Sequence, residues 1–212
     1  MRAWCGTDDP PRAGRRPSPT RTAAAPHEEG AMDAIELLQH DHRRVEQLFR
    51  DHRAAASVTQ RRAVVELTVR ELSRHAAVEE MALYPPARKV LADGPRRIEE
   101  CLSDDMAVKK LLLALDRLPP GDDREGELMT QLRREFEEHV REQEGELLPE
   151  LRARLTPQHL AELGRRIDRA RRGAPTRPHP NAPDHPPALT VLGPVAAAYD
   201  RFRDRLQGRP ST

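Results

Sequence analysis

The sequence predicts an all-α protein: an up-down-up-down four-helix bundle with an extra C-terminal helix and a proline-rich tail. Three observations carry that prediction. Charged residues make up 33% of the 212 residues and aromatics only 3%, a balance rich in Leu, Ala, Arg and Glu that suits solvated helices better than sheets. Apolar residues recur at spacings of three and four along four long segments. Short links separate those segments, two of them marked by proline and glycine, which makes sequential helices antiparallel neighbours.

Residues 1–31 hold Pro10, Pro11, Pro17, Pro19 and Pro26 and no periodic apolar pattern, so disorder is expected there. Periodicity starts directly after Met32, with Asp33 as N-cap. The first helix is expected over about 33–55, with Ile35, Leu38, His42, Val45 and Phe49 on one stripe. His42 falls inside that stripe, His40 opposite it and His52 near its edge. The second helix is expected over about 59–84, with Val64, Leu72, His75, Val78, Glu79 and Ala82 facing inward. Pro85 and Pro86 are expected to end it, because neither continues the hydrogen-bond ladder.

Asp93-Gly94-Pro95 marks a turn and opens the third helix, about 95–118, whose stripe is Ile98, Cys101, Leu102, Val108 and Leu112. Asp105 sits at the centre of that stripe. Pro119-Pro120-Gly121 breaks the chain before a fourth helix over about 124–154. Its inner face is Leu128, Leu132, Phe136, His139, Gln143 and Leu147, with Pro149 kinking or ending it. Thr156-Pro157 caps a fifth helix reaching about residue 172, which closes the expected domain of 32–172. Residues 173–194 are rich in proline and are expected to run extended over the surface. A last short helix over 193–206 is expected to carry Val195, Tyr199, Phe202 and Leu206 as its apolar face.

The net charge of +1 gives the chain no general attraction to nucleic acid or an anionic membrane. No apolar run approaches a membrane span, and the N-terminus has arginine and proline where a signal peptide needs an apolar core. Cys5 and Cys101 lie in segments of unlike character, so no structural disulfide is expected and a cytoplasmic location is.

The chain uses one motif twice. His75 to Pro85 and His139 to Pro149, aligned on the histidines, share a Glu five residues on, a Leu at eight and a Pro at ten. His75 and Glu79 lie four apart, so a helix places imidazole and carboxylate side by side on one face. On a core-facing stripe that pairing suits a metal ion. The plainer alternative is a pair of core histidines hydrogen-bonded to Glu79. The second copy has Gln143 where the first has Glu79. Asp105, unpartnered in an apolar stripe, would cost several kcal/mol, so it needs a cation, a hydrogen-bond donor or its own proton. Cys101 reads as a small core residue. No nucleophile triad, phosphate loop or independent general-base pair is present, so the sequence offers no enzymatic motif.

Over about 32–172 these residues resemble the hemerythrin-like HHE cation-binding domain, and the proline-rich tail resembles that of its actinobacterial members. The resemblance implies a non-haem iron site, or one for another divalent metal, and binding or sensing of oxygen, nitric oxide or iron, or iron buffering. It implies His42, in the Asp41-His42 pair, as a ligand from the first helix, with His75 and Glu79 from the second. The family's third helix supplies a histidine where this chain has Asp104-Asp105, and its fourth a His-x-x-x-Glu where this chain has His139 and Gln143. One metal position, at His42, His75 and Glu79, is thereby kept, and the other, at His139, Asp105 and Gln143, is altered. Glu144 replaces Gln143 as a ligand where the helix bulges locally, but on a regular helix it points away. The other reading of these departures is a metal-free bundle retained as an interaction or stress-related scaffold.

Overall fold

A computed structural model describes residues 32–179 and 197–200. Helix α1, Ala34–Ala54, starts in a capping box: the Asp33 carboxylate accepts from the amides of Ile35 and Glu36, and the Glu36 carboxylate accepts from the amide of Asp33. Helix α2, Val58–Val78, starts at Ser57, whose hydroxyl accepts from the Gln60 amide. A π-helical turn, Glu79–Leu83, joins it to α3, Tyr84–Val90. Helix α4 spans Gly94–Arg117 and α5 spans Glu125–Glu142. A second π turn, Gln143–Leu147, leads into α6, Leu148–Arg154, and α7 spans Pro157–Gly173 behind a Thr156 cap. No strand occurs among the described residues.

The prolines do not end the second and fourth helical runs, contrary to the expectation for Pro85 and Pro86. In each run the π turn comes first, with the Tyr84 amide bonded back to the Glu79 carbonyl and the Leu148 amide to the Gln143 carbonyl. Pro85 and Pro149 then fall in the first turn of α3 and α6. A missing N–H is tolerated there, and the widened turn relieves the clash between ring and preceding carbonyl.

Helices α1, α2, α4 and α5 are the four long members of the bundle, and α7 packs against α1, α2 and the first π turn. The core is two apolar clusters. One gathers Leu38, Leu83, Ile98, Leu148, Leu151 and Ile167, and the other gathers Val45, Leu72, Leu112, Leu115, Leu132 and Phe136. Val65, rather than the half-buried Val64, carries the inner face of α2.

Just beyond α7, the described residues 174–178 do not run over the surface as expected for that stretch. Residues 174–178 are buried, the Arg177 guanidinium pairs with Asp116, and the amides of Thr176 and Arg177 donate to the Asp200 carboxylate. Residues 197–200 are helical, but Tyr199 is 63% exposed while Ala197 and Asp200 are buried, so the expected apolar face is not formed there. Val195, Phe202, Leu206 and the expectation for residues 1–31 lie outside the described residues.

Gly164 lets α7 lie against the start of α1, since a Cβ there would stand 2.9 Å from the Met32 carbonyl oxygen and 3.1 Å from the Ala34 nitrogen. Gly164→Val should cost about 1–3 kcal/mol, read as a lower urea midpoint. Gly126→Ala, whose Cβ meets nothing within 4 Å, should instead gain about 1 kcal/mol from helix propensity. Equal midpoints for the two variants would show that α7 is not seated on Gly164.

Candidate metal centre

A polar layer lies between the two apolar clusters. Along α1 the chain passes from Leu38 through His42 to Val45, and along α4 from Leu102 through Asp105 to Val108. Helix α2 brings His75 to the same layer, its π turn adds Glu79, and α5 brings His139 with Gln143 at the start of the second π turn. One ligand atom each from His42, His75, Glu79 and His139 lies within 4.8 Å of the others. Glu79 Oε2 is 3.4 Å from His75 Nε2 and 3.6 Å from His139 Nε2. Those separations are long for hydrogen bonds, yet they suit two ligands on one cation with bonds of about 2.0–2.2 Å. The Nε2 atoms of His42, His75 and His139 are buried without a hydrogen-bond partner. Three orphaned imidazole nitrogens around a buried carboxylate fit a transition-metal ion.

This grouping differs from the two half-sites drawn from the resemblance. His139 joins His42, His75 and Glu79, whereas Asp105 is not in that group and reaches Glu79 only through Tyr84. The Gln143 amide Nε2 donates to Glu79 Oε1, and the Tyr84 hydroxyl lies 3.3 Å from Glu79 Oε2 and 2.9 Å from Asp105 Oδ2. Burial first, then the Glu79 and Glu80 carboxylates, push the Asp105 pKa well above the usual carboxylate range. The Tyr84 hydroxyl is the donor in both contacts, so its single proton is shared between Asp105, at the shorter distance, and Glu79. Burial, followed by Asp105 and Glu79, also raises Tyr84 well above its ordinary value.

Each histidine has its own electrostatic setting. Burial, then His75 and His139, pulls His42 down to about 2, so its imidazole is neutral. Its Nδ1 lies 2.7 Å from Glu144 Oε1. Donation from Nδ1 to that carboxylate leaves the Nε2 lone pair facing the centre. Burial lowers His139 against the opposing pull of Glu79. For His75 burial acts downward, but the Glu79 and Asp41 carboxylates outweigh it and raise the pKa. His75 Nδ1 stands 3.9 Å from Asp41 Oδ2, an ion-pair distance rather than a hydrogen bond, and Arg171 of α7 holds Asp41 from the other side.

The π turns explain two residues that a regular helix would turn outward. With an extra residue in the turn, Gln143 and Glu144 both reach interior partners, Glu79 and His42. Glu79 and Glu80 do the same in the first copy, where Glu80 forms a buried ion pair with Lys109. Tyr84, Asp41 and Arg171 were not marked as site residues by the periodicity. The available signals were the polar Tyr84 opposite Leu148 in the aligned repeat and the Asp41 next to His42. Cys101 packs against an apolar cluster, and burial, then Glu79 and Asp105, push its thiol up to about 12, so it stays protonated.

Known proteins are similar to this chain in sequence or in fold. A hemerythrin-like protein of Schizosaccharomyces pombe is 26% identical over 171 residues, covering 80% of this chain and 84% of the relative. The crystal structure of a hemerythrin HHE cation-binding domain-containing protein from Mycobacterium kansasii superposes with a TM-score of 0.55 at 24% identity, over 66% of this chain and 88% of that one, a likeness of fold. The family model for the hemerythrin HHE cation-binding domain matches residues 33–151, more than half of the chain and all four long helices of the bundle. The protein belongs to the hemerythrin HHE cation-binding domain family.

Proposed function

We propose that this chain is a hemerythrin-like non-haem iron protein whose centre takes one ion on His42, His75, Glu79 and His139. The observation that carries the reading is the set of three buried Nε2 atoms with no hydrogen-bond partner, gathered around one buried carboxylate. Three imidazoles and a carboxylate suit first-row transition metals, and iron follows from the family; another divalent metal is the nearest alternative. The second metal position of the family is degenerate in this proposal. Gln143 turns an N–H towards Glu79 where a bridging carboxylate would offer an oxygen, and Asp105 accepts from Tyr84 while burial pushes its pKa well up.

Bound iron would supply an open coordination position for a small diatomic ligand, which fits sensing or binding of oxygen or nitric oxide, or iron sensing or buffering. The protein's own groups have separate tasks. Glu144 orients His42, and Asp41, held by Arg171, faces His75. The chain from Asp105 through Tyr84 holds Glu79 in one orientation and keeps a proton close to its Oε2. Phe136, with its ring centroid 5.9 Å from that of His42, walls the layer from the apolar side and limits water. A neutral His42 gives up no proton when it takes a metal, which favours binding at ordinary pH. A metal-free scaffold is the second reading. It is favoured by Gln143 and Tyr84, which already give Glu79 hydrogen bonds.

Protein purified anaerobically from iron-replete cells should contain about one equivalent of iron, as expected for a tight site, and His75→Ala should empty it. Metal content below roughly a tenth of an equivalent in the parent protein would decide for the scaffold. Glu144→Ala should weaken iron binding by about 10–100-fold while leaving one site, measured by competition with a chelator. Asp105→His combined with Gln143→Glu should raise the iron content towards about two equivalents, with a new absorption band on oxidation. No gain in metal over the parent would show that these positions do not correspond to the family's second site.

A further inference from the structure

Two cavities reach the polar layer, one of about 220 Å³ beside α1, α2 and α7, and one of about 300 Å³ between α4 and α5. The first approaches His75 and carries Arg44, Arg74 and Arg171 against Asp41 and Glu71. Its lining is net positive, and the Asp41–Arg171 ion pair stands beside His75. The second has the opposite charge. Glu100, Asp104, Glu142 and Glu146 line it against Arg96 and Arg97. Arg96 pairs with Glu100 in the lining and with Asp93 outside it, and Arg97 pairs with Glu150 outside it. Asp104, Glu142 and Glu146 are exposed and have no cationic partner among the described residues.

The inner end of this cavity points to a ligand independently of the carboxylates. Gln143 lines it at 2% exposure, and its Oε1 is buried with no hydrogen-bond donor. His139 also lines it, and its partnerless Nε2 belongs to the metal cluster. We propose that the cavity between α4 and α5 is the entrance of the centre, where Asp104, Glu142 and Glu146 capture a hydrated divalent transition-metal ion that Gln143 and His139 pass inward. The inference rests on the metal reading of the centre given above. Solvated carboxylates hold such an ion loosely and exchange it readily, whereas the imidazole set beyond them binds it more tightly, so transfer runs down a gradient of affinity. Crowding of like charges at the mouth acts in the same direction. Asp104, Glu142 and Glu146 line the mouth together, and an arriving cation relieves their mutual repulsion.

The test is stopped-flow uptake of Co²⁺ by the metal-free full-length protein, followed by ligand-field absorption at low and high salt. The triple variant Asp104→Asn, Glu142→Gln, Glu146→Gln should load about tenfold more slowly at low salt, with the gap closing as salt screens the carboxylates, and should reach the parent's final stoichiometry. A control with the same charge change elsewhere, Asp51→Asn, Glu162→Gln, Asp168→Asn, should load at the parent's rate. A triple variant that loads as fast as the parent, a control slowed equally, or a triple variant with lower final stoichiometry would each overturn the entrance while leaving the metal centre standing. A parent protein that develops no Co²⁺ absorption would overturn the metal reading and the entrance with it.

Discussion

A carboxylate with no exposed surface in the middle of a helical bundle must be satisfied from every side, and Glu79 is that group here. Gln143 reaches it from the second π turn, Tyr84 from the start of α3, and His75 and His139 face it across 3.4 and 3.6 Å. His75 and Tyr84 come from the run that carries Glu79 itself, and Gln143 and His139 from the second copy, so the two runs must meet at one height. The polar layer therefore sets the register of the bundle, while the apolar clusters above and below it supply most of the burial. Asp105 belongs to the same arrangement one step further out. The Tyr84 hydroxyl donates to Asp105 and lies within reach of Glu79, so it ties the two carboxylates together.

The two π turns are the local device that makes this possible. Each inserts an additional residue directly after the His-x-x-x segment, so that two consecutive side chains reach inward and the helix continues through a proline. In the first copy the pair is Glu79 and Glu80, the second of them matched by Lys109. In the second copy it is Gln143 and Glu144, the second of them matched by His42. A buried Glu80 without Lys109 would leave an uncompensated charge beside Asp105, which gives that ion pair a structural role whatever the centre binds.

The repeat is structurally near-symmetric and chemically unequal. Both copies have the same turn, the same proline position and an inward histidine. Only the first has a carboxylate at the inward position; the second places an amide there, which donates to the first copy's Glu79. One carboxylate thus serves both halves.

Much of the fold was legible in the residues. Spacings of three and four marked the stripes of the four long helices, Asp33 and Thr156 marked helix starts, and the recurring His and Pro marked the repeat. His42, His75, Glu79 and His139 were each marked by a polar side chain inside an apolar stripe, a signal that depends only on periodicity. What periodicity could not supply was the partnership between them. A heptad pattern assumes a regular helix, so it ended α2 at Pro85 and turned Glu144 outward; the π turns, set by tertiary packing, altered both. The placement of His139 with the first-copy residues, and of Asp105 with Tyr84, depends on how four helices meet at one level. The sequence by itself determined which side chains face inward; the tertiary structure decided which of them meet, because contacts between helices follow axial register and not residue spacing.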